Sequence, residues 1–165
     1  WQELWREEYK DEEWSINDPR LKPFNTLKKD WEWATPLRNY FERRQALVEI
    51  DVISAMALGL SLKDLEMIYT IQFPVLQQNE SDTWYDQKGN IVFTCSKGLT
   101  GVGCDRKEWE SIRNNSEPYV HTIDPKKSEL YGGQQVTYYP PYTRPDRISD
   151  YRRAWAFFEK KFNNK

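Results

Sequence analysis

The feature that most constrains this chain is the run from Thr35 to Pro74, which carries two start signals, a stop and a breaker in the right order for two joined helices. Thr35 suits an N-cap and Pro36 the first helical position. From Leu37 the apolar residues return at Tyr40, Phe41, Leu47, Val48, Val52 and Ala55, a helical period. Residues 46–58 are apolar almost all round, so the helix is expected to run through the middle of the domain. Gly59 offers a left-handed stop. Ser61 then caps a second helix, with Asp64 in the place of the usual Glu or Gln of a capping box and Leu62, Leu65, Ile68 and Tyr69 as its inner stripe. Phe73-Pro74 ends or kinks it. The spacing resembles a helix-turn-helix, but Lys63, Asp64 and Glu66 are a poor set for reading bases, so the hairpin reads as core support.

Glu49 and Asp51 are the only charges in that apolar run, and neither has a cation three or four residues away. A carboxylate carried into a core needs a partner or must take up a proton. At least one is therefore expected to pair with an arginine from elsewhere, with Arg38, Arg43, Arg152 and Arg153 as candidates.

A second organised stretch is Thr83–Gly103, TWYDQKGNIVFTCSKGLTGVG. Asp86 to Gly89 has the pattern of a type I turn with a bulge, between Trp84-Tyr85 and a returning strand Ile91–Phe93. Lys97, Gly98, Gly101 and Gly103 follow, open backbone with one cation. The order G-x-x-G-x-G lacks the Gly-Lys-Ser/Thr ending of a phosphate loop and is a weak nucleotide site. Cys95 and Cys104 lie in the same segment; two free thiols are expected, with a disulfide closing the loop as the alternative. No second Cys pair or His cluster accompanies them, which argues against a zinc site.

Trp109, Ile112 and Arg113 suggest a short helix, Tyr119 to Ile123 and Gln135 to Tyr139 two more strands, and Gly132-Gly133 a turn between them. Ile148, Tyr151, Trp155, Phe158 and Phe162 repeat at three and four, an apolar seam expected to dock on the helical hairpin. Before all of these, residues 1–34 form an aromatic, acidic arm with Trp1, Trp5, Tyr9, Trp14, Trp31 and Trp33. The fold class implied is α+β: a helical hairpin and a C-terminal helix packed with a small antiparallel sheet. The 165 residues divide as arm 1–34, hairpin 35–82, strands and glycine-rich loop 83–145, and C-terminal helix 146–165, within one domain. The chain opens on Trp, not Met, and reads as a piece of a longer protein.

Charge is uneven. Residues 1–85 carry ten Lys and Arg against sixteen Asp and Glu, and residues 86–165 carry fourteen against ten, within a net charge of −2. Any contact with phosphate therefore belongs to the second half. No apolar run reaches the ~20 residues of a membrane span, which points to a cytoplasmic protein without a membrane partner. Asp82 and Asp86 lack the companions a nuclease needs. Stacked Trp side chains could serve a carbohydrate-binding module, but no secretion signal is visible. Tyr139-Pro140-Pro141-Tyr142 has Tyr where amino-methyltransferases carry the Asn or Asp that accepts from the target amino group, so it is read as a decoy.

The runs RRQALVEIDVISAMALGLSLKDLEMIYTIQFPVLQQNESDTWYD, GNIVFTCSKGLTGVG and DYRRAWAFFE resemble the carboxy-terminal region of large bacterial DNA methyltransferases, the adenine-specific restriction–modification enzymes and their phage-defence relatives. The resemblance implies a non-catalytic accessory domain that assists DNA binding or target recognition. The catalytic residues and the S-adenosylmethionine site would lie in an upstream domain, and duplex DNA would be reached through the parent enzyme. It transfers no catalytic residue and no cofactor to this chain. Candidate DNA contacts, placed by charge and loop position alone, are Lys97, Gly98, Gly101, Arg106, Lys107, Arg144, Arg147, Arg152 and Arg153. The alternative is a structural module docking on the catalytic domain or a partner subunit.

Overall fold

The computed structural model describes residues 30–33, 36–95 and 103–163. Trp1, Trp5, Tyr9 and Trp14 of the arm, the expected N-cap Thr35, and the loop residues Lys97, Gly98 and Gly101 lie outside the described residues. The elements run α1 (Tyr40–Ala57), α2 (Leu62–Gln72), α3 (Pro74–Ser81), β1 (Thr83–Tyr85), β2 (Ile91–Thr94), α4 (Arg106–Ile112), β3 (Tyr119–Thr122), β4 (Gln135–Tyr138) and α5 (Arg147–Asn163). The fold is α+β, with a correction to the single small sheet: β1 pairs with β2 and β3 with β4, two separate antiparallel ladders.

Helix α1 begins later than Thr35-Pro36 suggests. Asn39 is its N-cap, accepting from the Glu42 N–H at 2.7 Å, because the Phe41 N–H is taken by the Gly89 carbonyl at 3.0 Å. The tip of the first β-hairpin thus covers an orphan donor of the first turn of α1. Its end follows the expectation: Gly59 has φ +72°, its N–H donates to the Met56 carbonyl and the Leu60 N–H donates to the Ala55 carbonyl, both at 3.0 Å. That pair of bonds is a Schellman stop. Ser61 and Asp64 form the capping box that opens α2. Phe73-Pro74 does more than end α2, since Pro74 occupies the first turn of a further helix, α3, that the apolar period gives no sign of.

Two apolar clusters hold the molecule. In the first, Val48, Val52 and Ala55 of α1 meet Leu65 and Tyr69 of α2 and Tyr151, Ala154 and Phe158 of α5, which seats the C-terminal seam on the helical hairpin. In the second, Val92 and Phe93 of β2, Trp109 and Ile112 of α4, Tyr138 of β4 and Cys104 close the β half. Trp109 lies parallel to Phe93, with ring centroids 5.9 Å apart. A smaller cluster of Phe41, Tyr85 and Ile91 joins hairpin to helix.

The β1–β2 turn is built on Asp86, which is fully buried. Its Oδ1 accepts from the Lys88 and Asn90 N–H groups at 3.0 and 2.8 Å, and its Oδ2 from the Tyr139 N–H at 3.3 Å. Gly89 closes the turn at φ +77°. The Tyr-Pro-Pro-Tyr segment has a structural role. Its backbone fastens to the turn, and Thr143 beyond it bridges to Tyr85.

Candidate functional site

The helical layer leaves one face uncovered. Leu47 and Leu58 of the α1 side, Ile68 and Phe73 of the α2 side, and Leu76 of α3 line an apolar groove of about 440 Å³. Leu47 and Ile68, expected inside, are exposed here, and Leu58 is 77% exposed. The reason is geometric: α5 covers the Val48–Val52–Ala55 side of α1, and no described element covers the side about a quarter-turn away. Asp51, Arg147 and Tyr151 make the polar end of the groove.

That polar end is an ion-pair network. Arg147 Nη1 donates to Asp51 Oδ2 at 3.0 Å, and its Nη2 and Nε reach Glu80 Oε1 and Oε2 at 2.8 and 2.9 Å. Arg44 adds a contact of 3.1 Å to Glu80 and one of 2.6 Å to Asp150. Tyr69 and Tyr151 donate their hydroxyls to Glu80 and Asp51. Burial pushes the Glu80 carboxyl up, but the hydrogen bond from Arg147 and the charges of Arg44 and Arg147 outweigh it and hold it below the usual carboxylate range. Burial likewise pushes the Tyr151 hydroxyl up, to about 12. Asp51 does pair with a distant arginine, but the partner is Arg147, not one of the four candidates. Arg43 instead donates to the Leu37 carbonyl and Arg152 to Glu66. Glu49 is fully buried.

The candidate DNA contacts disperse. Arg147 is 6% exposed and bound on two sides, so it is removed from any phosphate track. Arg152 of α5 pairs with Glu66 of α2 at 2.7 Å. Arg106 pairs with Asp82 at 2.8 Å, and Arg144 donates to the Ser81 carbonyl at 2.7 Å while its guanidinium lies over Trp84, 5.6 Å from the ring. Lys107 is exposed on α4 and Arg153 on α5.

Arg106 nevertheless shares one place with other aromatic and polar side chains. A polar cleft of about 410 Å³ is lined by Trp84, Trp109 and Tyr142 together with Arg106, Arg113 and Asn114, and Asp82 and Glu110 complete it. Trp109 sits 5.3 Å from Trp84 and 5.4 Å from Tyr142, ring centre to ring centre. Trp109 is buried against Phe93, which leaves the half-buried Trp84 and Tyr142 as the rings that can meet a flat ligand beside the guanidiniums and the amide. The sequence stripe of Trp pointed at the arm and not at this pair, because Trp84 and Trp109 are 25 positions apart and meet only through β1 and α4.

A third cluster also escaped the sequence reading. Cys104, Glu108 and His121 each bring a metal-ligating atom within 4.8 Å of the other two. Cys95 and Cys104 are free thiols, the first exposed and the second buried. No helix among the described residues is long and apolar enough to cross a membrane. No protein-family model, no curated protein and no solved structure matches the chain.

Proposed function

We propose that this chain is a non-catalytic accessory domain of a DNA methyltransferase, and that it docks through the apolar groove of its helical layer onto the enzyme's catalytic domain. The observation that carries the reading is the groove: a contiguous apolar surface framed by Leu47, Leu58, Ile68 and Phe73, beside polar groups already paired with one another. Apolar patches of this kind mark association surfaces, and a paired polar rim can be covered without orphaning a charge. The catalytic domain is the chosen occupant because the central run of the sequence, which builds the groove, is the part that resembles the carboxy-terminal region of such enzymes. Chemistry and S-adenosylmethionine belong to that other domain in this reading. With the catalytic domain supplied as a separate chain, the two associate, and Leu58→Glu with Ile68→Glu weakens the association at least about tenfold. Wild-type chains that stay apart, or a double variant that binds as well as the parent, overturn the reading.

The aromatic cleft supports a second reading, in which the domain also contacts DNA. Here the contacts reduce to Arg106 and Arg113 of the cleft and Arg144 over Trp84, with Lys107 and the loop residues Lys97, Gly98 and Gly101 beside it in sequence. The chain then binds DNA with an affinity that falls steeply with salt, and Arg113→Ala or Lys97→Ala lowers the salt slope by about 1. Unchanged binding at low salt in both variants removes this reading and leaves the docking reading intact.

A further inference from the structure

We propose that Cys104, Glu108 and His121 form a binding site for a divalent transition-metal ion of the zinc class. The three side chains come from three separately fixed pieces of backbone. Cys104 precedes α4, and its N–H is tied to the Val92 carbonyl at 2.8 Å, which holds the thiol against β2. Glu108 follows one helical turn later in α4, whose start is fixed by the Asp105 cap at 2.9 Å. His121 stands on β3, held in register opposite Val136. Their ligating atoms lie within 4.8 Å of one another, and Cys104 and His121 are buried.

Glu108 is the centre of the cluster. Its Oε1 meets His121 Nδ1 at 2.7 Å and accepts from the Tyr119 hydroxyl at 2.7 Å. A carboxylate bonded to an imidazole nitrogen shares a proton with it, and a cation can take that proton's place. The thiol, imidazole and carboxylate set is soft enough for zinc and unsuited to calcium or magnesium, which prefer oxygen alone. Binding releases the thiol proton to solvent and moves the imidazole proton from Nδ1 to Nε2, leaving thiolate, carboxylate and neutral imidazole around a 2+ ion. The site is then electrically neutral, as burial requires. The Glu108–His121 separation must open to the ~3.4 Å that tetrahedral bonds of ~2.1 Å impose. Tyr119 acts as a positioning residue, orienting the carboxylate through its hydrogen bond. Three protein ligands leave the fourth tetrahedral position to water or to a group from a partner. The metal would pin α4 to β3, and α4 with its C-cap Arg113 supplies Arg106, Trp109 and Glu110 to the aromatic cleft.

Cobalt is the direct probe, because thiolate ligation gives a charge-transfer band in the near ultraviolet and tetrahedral geometry gives strong visible bands. The Cys95→Ser variant removes an exposed thiol and leaves Cys104 as the one cysteine of the chain. Titrated with Co²⁺, this variant is expected to bind one ion with both sets of bands, and added Zn²⁺ bleaches them. Tyr119→Phe weakens binding about 10- to 100-fold. His121→Gln loses the visible bands. Absence of the charge-transfer band in the Cys95→Ser protein overturns the site, as does a Co²⁺ affinity unchanged in both Tyr119→Phe and His121→Gln.

Discussion

Arg147 grips Glu80 with a two-pronged ion pair, Nη2 to Oε1 at 2.8 Å and Nε to Oε2 at 2.9 Å, across 67 residues of sequence. This is the geometry in which a planar guanidinium matches a carboxylate best. It fastens the first turn of α5 to α3, while Asp51 on the other side of the same guanidinium fastens it to α1. Glu80→Gln should therefore leave Arg147 and Arg44 partly uncompensated in a desolvated site, at a cost of about 3–5 kcal/mol. Urea denaturation of parent and variant measures it, and a midpoint within error of the parent contradicts the role assigned to the pair.

The same carboxylate sets an acid limit. Glu80 faces Arg44, Arg147 and the Tyr69 hydroxyl, with Asp51 and Asp150 bound to the same two arginines. Its folded-state pKa lies below the ordinary value of 4.5. Its contribution is then fully present above the unfolded-state pKa and is lost as pH falls through the folded one. Stability attributable to Glu80 should hold from neutral pH down to the ordinary carboxylate range and decline below it. The Glu80→Gln protein should show a shallower acid decline in Tm than the parent; parallel profiles would contradict this.

Gly89 cannot accept a side chain. Its φ of +77° disfavours L residues, and a Cβ built there would stand 2.5 Å from Asn39 Oδ1, the atom that caps α1. Gly89→Ala should cost more than the ~1–2 kcal/mol of the left-handed conformation alone, because the cap must also move. Thermal melting checks the size. Gly133, at φ +81° with open space around it, is the control, and Gly133→Ala should cost only the conformational part.

Asp86 holds the β1–β2 turn together. Its carboxylate accepts from the backbone of Lys88, Asn90 and Tyr139 in a fully buried place. Asp86→Ala strands those donors at about 1–3 kcal/mol for each one left dry, so a loss of about 3 kcal/mol or more is expected. Hydrogen exchange should show the Lys88, Asn90 and Tyr139 amides losing protection together. Undiminished protection would remove Asp86 as the organiser of the turn.

Local rules made much of the fold legible. Gly59, the Ser61–Asp64 box, the Asp86–Gly89 turn and the 3-4 seam of α5 are each decided within about one turn of chain, by φ preference, by short side-chain-to-backbone bonds or by a helical period. The seam was also enough to say that α5 packs on the helical hairpin. The candidate site was much less legible. Arg147 read as a phosphate contact because its charge is visible and its burial is not. Asp51 was correctly expected to pair with a distant arginine, but Arg147 was not among those considered, since the partner depends on which turn of α5 meets α1. Helix α3 went unread for lack of an apolar period, and with it the carboxylate that binds two arginines.

By itself the sequence determined the α+β class, the stop of α1 at Gly59, the Ser61–Asp64 cap of α2, the Asp86–Gly89 turn and the packing of the last helix, because these follow from interactions between residues close in the chain or from a repeated apolar spacing. The tertiary structure alone decided which side of α1 stays open as a groove, which arginines are consumed in internal pairs, and that Cys104, Glu108 and His121 converge. Each of these depends on the angle and register at which separately formed elements meet, and no local pattern encodes an angle between elements.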